Sequence, residues 1–209
     1  MGTRLIKALA ARGHEVRALV RTGSESKLPP GCTAIRGNAL TGGYHRDVRG
    51  SDVFVHLVGV AHPSPAKARQ FLEIDLPSVE AAVDAAKTAG VRRFVYLSVA
   101  QPAAVMKEFI AVRARGEALI LEAGFDGAFV RPWYVLGPGH WWPVALLPLY
   151  WLFEAIPRTR ETAGRLGLVT IHRMIDALVS AVESEAPGVA IMDVAAIRAA
   201  RNAYLGAPK

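Results

Sequence analysis

The first 21 residues constrain the fold of this chain more than any other stretch. Apolar residues in the range 5–10 recur at the spacing of one helix face, and Gly13 follows where a helix can end. The apolar run 16–20 is too short for a helix and rich enough in valine for a buried strand, and Arg21 comes directly after it. The order helix, glycine turn, strand predicts the second half of a β-α-β unit.

Gly2 stands directly ahead of this predicted helix. In a β-α-β unit that binds a mononucleotide, a strand enters a glycine-rich turn, and the next helix points its amino end at a pyrophosphate. Gly2 occupies the place of the third glycine of that turn, whereas the strand and the two earlier glycines have no counterpart in the sequence. Loss of a central strand costs more than the net stability of a domain, about 5–15 kcal/mol. We therefore expect that Met1 is a misassigned initiator and that the strand lies upstream, the alternative being another segment in its place.

Composition describes a globular protein, with 52% hydrophobic and 21% charged residues in a chain of 209. The net charge of +7 is spread along the chain without a long basic run, so nucleic acid is not an expected partner, whereas an anionic cofactor or an anionic membrane surface is. Cys32 is the only cysteine and the histidines are scattered, which predicts a reducing compartment and no metal site. No signal-peptide pattern opens the chain, and we expect a cytoplasmic protein, with association at the cytoplasmic face of a membrane as the alternative.

Strands and helices alternate over most of the length, which predicts an α/β fold with a doubly wound parallel sheet. The predicted strands are 33–37, 52–60, 91–98 and 127–132, and the longer predicted helices are 70–89 and 105–123. Pro77 places the start of the first of these helices near itself. We expect a Rossmann-like domain over 1–135 and a small C-terminal lobe over 136–209. Ligands of such sheets bind at the carboxyl ends of the strands.

Several short motifs occur in a fixed order along the chain. They are GTRLIKALAARGHEVRALVR over 2–21, GNAL over 37–40, AAKTAGVRRFVYLS over 85–98 and RPWYVLGPG over 131–139. In this order the chain resembles the atypical and extended branches of the short-chain dehydrogenase/reductase superfamily, from Gly2 to about Glu183. It is most similar to the NmrA-like sensors and to the accessory subunit of respiratory complex I. The resemblance implies a Rossmann-like fold that binds NAD(P).

The resemblance also implies a set of cofactor-binding positions. They are Gly2, Arg21, Asn38, Leu40, Val60, Ala61, Ser98, Arg113 and Pro132. Arg21 stands where a 2′-phosphate would lie and where NAD-binding relatives carry an acidic residue, so NADP(H) is expected ahead of NAD(H); the alternative is a solvated charge at a strand end. Asn38 resembles the residue that bonds the adenine amino group, and a turn-forming asparagine is an equal alternative.

The catalytic positions of the superfamily are altered in this chain. Active relatives carry a tyrosine that transfers a proton and a lysine four residues later, and Phe109 and Arg113 stand at these places. Ser98 keeps the position of the substrate-orienting serine, so Ser98 and Arg113 remain the catalytic candidates. We expect a sensor, an assembly factor or an unusual oxidoreductase. The alternatives are an oxidoreductase or epimerase on a hydrophobic, quinone-like substrate, and a membrane-peripheral scaffold that has lost its cofactor.

Other polar side chains carry weaker functional hypotheses. His56 lies within an apolar strand and is interpreted as a core histidine, while His62, just past that strand, is a minority candidate for catalysis. Asp75 is expected to brace the neighbouring strand. Tyr134 and Lys107 are candidates to replace the missing acid–base groups.

The segment 140–157 is rich in tryptophan, leucine and proline. Its apolar run 141–153 is too short to span a bilayer. Three interpretations stay open: packing in the C-terminal lobe, which we favour, a lid over a hydrophobic substrate, and an interfacial contact with a membrane or a protein partner.

Overall fold

The computed structural model describes residues 1–103, 105–137 and 166–201. The helices are α1 Gly2–Ala11, α2 His45–Val48, α3 Ala68–Gln70, α4 Leu76–Ala89, α5 Lys107–Glu122, α6 Ile171–Glu183 and α7 Val194–Ala199. The strands are β1 Val16–Val20, β2 Cys32–Arg36, β3 Val53–His56, β4 Arg93–Leu97, β5 Asp126–Val130, β6 Tyr134–Leu136, β7 Leu168–Thr170 and β8 Val189–Met192. The predicted alternation of strands and helices is confirmed.

All strand pairs in the described residues are parallel. β1 pairs with β2, the order β3-β4-β5-β8 forms the main sheet, and β6 pairs with β7. β8 lies beyond residue 136 in sequence and yet extends the main sheet beside β5, with Ala128 opposite Ala190. The division into two domains at residue 136 stays a prediction.

The two faces of the main sheet carry different side chains and different helices. Val95, Ala128 and Val130 pack in one cluster, whose helical partners come mainly from α6 and α1. Phe94 and Phe129 face the opposite side and pack against α4 and α5. Residues along a strand alternate between faces, so this arrangement is the one a doubly wound sheet requires.

A groove separates β1 from β3. In the described part of the chain, each of these strands is hydrogen-bonded to a neighbour on one side only, β1 to β2 and β3 to β4. The Arg17 guanidinium donates to the main-chain oxygens of Asp47 at 2.7 Å and Arg49 at 3.1 Å, just ahead of β3, so the amino ends of the two strands lie at the same edge. The β1/β3 groove has a volume of about 1090 Å³ and is lined by both strands and by apolar residues of α1. It lies where the sequence pattern places a central strand.

The helix predicted over 70–89 begins earlier than expected. α3 starts at Ala68, a wide π turn follows at Phe71–Asp75, and α4 continues from Leu76 to Ala89. Proline lacks an N–H and its ring clashes with the carbonyl four residues back in a regular helix. The π turn directly before Pro77 therefore replaces the helix start that we predicted near this proline. It also places Asp75 at the carboxyl end of β3.

β3 is shorter than the predicted strand over 52–60, because it ends at His56. Residues 57–60 leave the sheet and form the connection to the 3₁₀ turn Pro65–Lys67. No described helix is both long and apolar enough to cross a membrane. The predictions for 140–157 lie outside the described residues.

Candidate functional site

Most of the predicted cofactor residues lie on the segments that directly follow β1 to β5 or at the start of α1, whereas Arg113 lies within α5. Arg21, Asn38 and Ala61 are exposed, Gly2, Leu40 and Val60 are half-buried, and Ser98, Arg113 and Pro132 are buried. Because the strands are parallel, their carboxyl ends share one edge of the sheet. This edge is the candidate site, and the role of each residue in it stays a prediction.

The amino end of α1 is not covered by the part of the chain that the structure describes. Within that part, no side chain caps this helix, and a Cβ built on Gly2 meets nothing within 4 Å. Gly2 also lines the β1/β3 groove. Packing against the described residues therefore does not require a glycine here, whereas the free N–H groups of a helix start suit an anionic phosphate.

Asn38 is held in a local turn. Its Oδ1 accepts a hydrogen bond from the Leu40 main-chain N–H at 3.0 Å. This is the geometry by which an asparagine stabilises its own turn, and it occupies one lone pair of the amide oxygen. The turn interpretation of Asn38 is therefore supported by a contact, while its adenine role stays a prediction.

Arg113 is buried at the carboxyl ends of β3 and β4, with 4% of its surface exposed. Its Nη2 donates to Asp75 Oδ1 at 3.0 Å, its Nη1 donates to the Leu97 main-chain oxygen at 2.8 Å, and both nitrogens lie 3.4 Å from the Val58 oxygen. The guanidinium also lies 5.2 Å from the centre of the Phe109 ring. The protein itself thus supplies the partners of this cation.

Asp75 completes the arrangement from the end of the π turn. Its Oδ1 accepts a second hydrogen bond, from the Val60 main-chain N–H at 2.9 Å. Burial raises the pKa of Asp75, and the Arg113 charge and the Val60 N–H both act against this rise. The predicted bracing role is confirmed, because the carboxylate ties the helix to the turn after β3.

Two buried polar atoms of the Arg113–Asp75 pair and two hydroxyls beside it have no hydrogen-bond partner within the described residues. They are Asp75 Oδ2, Arg113 Nε, the Tyr96 hydroxyl and the Ser98 hydroxyl. Burial also raises the pKa of Tyr96, an effect that the nearby Arg113 opposes. Buried polar groups are almost always satisfied by protein, water or ligand. The carboxyl end of β4 therefore has unused hydrogen-bonding capacity, as a site for a polar ligand requires.

Phe109 stands in an apolar cluster. Its ring centre lies 4.9 Å from that of Phe71, and both pack with Val99 and Val112. Phe109 is 9% exposed. Its side chain has no proton to transfer, and its neighbours in this cluster are apolar, so the position cannot serve as a general acid.

Of the two histidine predictions, the one for His56 is supported by contacts, and the one for His62 stays a prediction. His56 is 3% exposed, its Nε2 lies 3.2 Å from the Ser78 hydroxyl, and burial followed by the Arg113 charge lowers its pKa to about 3. It is a neutral core histidine, as predicted. His62 is exposed and has a φ of 51°, and Lys107 is exposed at the first turn of α5. Tyr134 is half-buried in β6.

A partly buried ion pair and one glycine of the site were not predicted from the sequence. Arg131 Nε donates to Glu117 Oε1 at 2.8 Å, and the Gln101 amide donates to Glu117 Oε2 at 3.0 Å, so these contacts tie α5 to the segments after β4 and β5. Arg131 and Glu117 are 14 residues apart in sequence and lie on different elements, so no local spacing indicated this pair. The glycine that was not predicted is Gly59, which directly follows residues 57–58 after β3. A single glycine in such a run was the available signal, because it indicates a close approach of another group to the backbone.

The described residues contain no group of three or more His, Cys, Asp or Glu side chains that could hold a metal.

A protein-family model described as NAD(P)H-binding matches residues 1–135. The chain is 25% identical over 178 residues to a ceramide reductase of Caulobacter vibrioides, with 82% of this chain and 54% of the relative covered. It thus spans about half the length of that curated relative.

Solved structures show the same fold. MoeE5, in complex with UDP-glucuronic acid and NAD, superposes with a TM-score of 0.68 at 19% identity, over 91% of this chain and 71% of its own. The Bordetella bronchiseptica enzyme WbmH, in complex with NAD⁺, gives a TM-score of 0.64 at 18% identity, over 92% and 71%. The predicted α/β fold and the resemblance to the short-chain dehydrogenase/reductase superfamily are confirmed.

Proposed function

Because the chain belongs to the NAD(P)H-binding family, we propose that it binds a nicotinamide dinucleotide at the carboxyl edge of its sheet without the tyrosine–lysine chemistry of active relatives. One observation carries the second part of the proposal: Phe109 packs among apolar side chains while Arg113 is bonded to Asp75 and to strand-end carbonyls. The protein then acts as a sensor, an assembly factor or an unusual oxidoreductase.

The residues at this edge fit the cofactor part by part. The uncapped amino end of α1 offers N–H groups and a positive dipole to the pyrophosphate. Arg21 is exposed directly after β1 and suits a 2′-phosphate, which favours NADP(H) over NAD(H). The unpartnered Ser98 hydroxyl supplies a hydrogen bond at the end of β4. A bound nicotinamide supplies or accepts a hydride.

Carbonyl reduction needs a proton at the substrate oxygen in addition to a hydride. Phe109 stands at the position of the usual proton donor, and its side chain has no proton to transfer. Arginine is not a tunable acid, and the Arg113 guanidinium is engaged with protein acceptors, so it does not replace this donor. The chain's own contribution is therefore to bind and orient the dinucleotide.

The test is a set of thermal melts with NADPH, NADP⁺, NADH and NAD⁺. A ligand that binds the native state alone stabilises it by about 2.7 kcal/mol at a hundred times its Kd. We expect melting temperatures to rise by roughly 5–10 °C with NADP(H). The Arg21→Ala substitution should reduce the rise in melting temperature with NADP(H) and leave the rise with NAD(H) unchanged. The absence of any shift with all four nucleotides contradicts the proposal and favours a scaffold without cofactor.

A second candidate is an oxidoreductase on a hydrophobic substrate. It is favoured by the 25% identity to a ceramide reductase, whose name describes chemistry on a long-chain lipid. Tyr134 and Lys107 are then the candidates for the missing proton donor. Substrate-dependent oxidation of NADPH with a long-chain keto lipid, lost in Tyr134→Phe or Lys107→Ala, supports this function. No turnover with such lipids supports the sensor or assembly role.

A further inference from the structure

We propose that Arg113 is a positioning residue of the cofactor site: with Asp75, and in the space left by Gly59, it holds the turn that follows β3. This inference rests on the proposed function, because it takes the 58–60 turn as one border of the dinucleotide site. It assigns Arg113 a role that acts through the protein main chain, in place of a direct bond to the ribose.

The contacts of Arg113 join three separate parts of the chain. Its guanidinium bonds the main-chain oxygen of Leu97 at the end of β4, lies 3.4 Å from that of Val58, and pairs with Asp75. Asp75 in turn accepts the Val60 N–H at 2.9 Å. The turn is therefore bound at a carbonyl on one side of Gly59 and at an N–H on the other.

The absence of a side chain at Gly59 leaves the space that Arg113 and Asp75 occupy. A Cβ built on Gly59 would lie 2.0 Å from Arg113 Nη2 and 2.6 Å from Asp75 Oδ1. Both distances are far inside van der Waals contact, and the atoms belong to groups already engaged in hydrogen bonds. A side chain at position 59 is thus incompatible with the guanidinium in its observed place.

These contacts depend on the planar, forked geometry of the Arg113 guanidinium. The two Nη atoms reach acceptors in the turn after β3, at the end of β4 and on Asp75 at once, whereas a lysine ammonium is a point charge on a flexible stem. The Asp75 side chain is fully buried and that of Arg113 is 5% exposed, so each charge depends on the other for compensation. The two Nη atoms engaged in this way are not available to a ribose, and only Nε has no partner within the described residues.

The experiment compares Arg113→Lys and Gly59→Ala with wild type in the full chain, with two readouts. Amide hydrogen exchange at Val60 reports the turn, and the Kd for NADPH reports the site. Loss of a hydrogen bond to a charged group corresponds to roughly a 10- to 100-fold change. We expect Val60 exchange to accelerate and the NADPH Kd to rise, each by roughly that factor, in both variants.

Matched controls are available for both substitutions. Arg115→Lys changes an exposed arginine of the same helix, and Gly137→Ala places a Cβ no closer than 3.4 Å to any atom of the described residues. Neither should change Val60 exchange or the Kd. The Gly127 N–H, which donates to the Gly188 oxygen at 2.9 Å at the amino end of β5, is the internal reference amide.

The outcomes separate the alternatives. A raised Kd with unchanged Val60 exchange shows that Arg113 touches the nucleotide directly and overturns the inference. Faster exchange with an unchanged Kd also overturns it, because the turn then does not shape the site. If wild type binds none of the four nucleotides, the proposed function fails, and Val60 exchange alone still decides whether Arg113 holds the turn.

Discussion

The β1/β3 groove leads to a prediction about added chain. We expect an apolar strand of five residues, joined to Met1 through a short glycine-rich turn, to enter the groove and stabilise the protein. Among residues 1–103, 105–137 and 166–201, no strand pairs with the facing edges of β1 and β3, and the apolar residues Leu5, Leu9, Val53 and Val55 line the groove. A strand buried on both faces needs a continuous apolar run, so valine, isoleucine and leucine suit every position.

The expected gain comes mainly from main-chain pairing. Burying each apolar side chain contributes about 1.5–3 kcal/mol, and fixing each residue costs a similar amount in backbone and side-chain entropy. Hydrogen bonds to two strand edges then add about 0.5–1.5 kcal/mol each. With roughly eight such bonds the surplus is at least about 4 kcal/mol. The melting temperature should rise by about 10 °C or more.

Thermal melts and urea titrations of the extended chain measure this gain. The control carries an extension of equal length in which glycine and serine replace the apolar residues. A glycine–serine extension cannot bury side chains, so its melting temperature should equal that of the unextended chain. Equal melting temperatures for the two extensions refute the reasoning, because they show that the groove does not accept a strand.

Two further predictions concern stability. Gly116→Ala places a Cβ 2.5 Å from the Tyr96 hydroxyl and should lower the free energy of unfolding in urea by about 1–3 kcal/mol, whereas Gly137→Ala should leave it nearly unchanged. Burial lowers the pKa of His56 to about 3, below its unfolded value of about 6.5, so the unfolded state binds the proton and stability falls as the pH drops through 6.5. Between pH 6.5 and pH 5 the loss should approach roughly 1.4 kcal/mol per unit, and His56→Gln should flatten this slope; parallel slopes for the two proteins contradict the assignment.

Local signals made the order of elements predictable. Gly13 and Gly90 both adopt positive φ values, 87° and 77°, and each ends a helix close to the place that the sequence indicates. The continuous apolar runs correctly marked the parallel strands. These features depend on residues near one another in the chain, and a single sequence contains that information.

The partners of Arg113 could not be predicted in the same way. They lie 16, 38 and 55 residues away in sequence, at Leu97, Asp75 and Val58. Their meeting depends on the ends of two strands, β3 and β4, and on the π turn, and the sequence pattern contains no marker for that turn. Burial and pairing of a charge are tertiary properties, so the sequence indicated Arg113 as a cofactor-binding and catalytic candidate but gave no sign of its partners within the protein.

The fit between Gly59 and Arg113 restricts how this site can change during evolution. Arginine enters position 113 without a clash only in a chain that already has glycine at position 59, and any other residue at 59 becomes harmful once the arginine is fixed. The effect of a substitution at one position thus depends on the residue at the other. Among related sequences, arginine at 113 should occur together with glycine at 59 and an acidic residue at 75, and chains with lysine at 113 should tolerate side chains at 59.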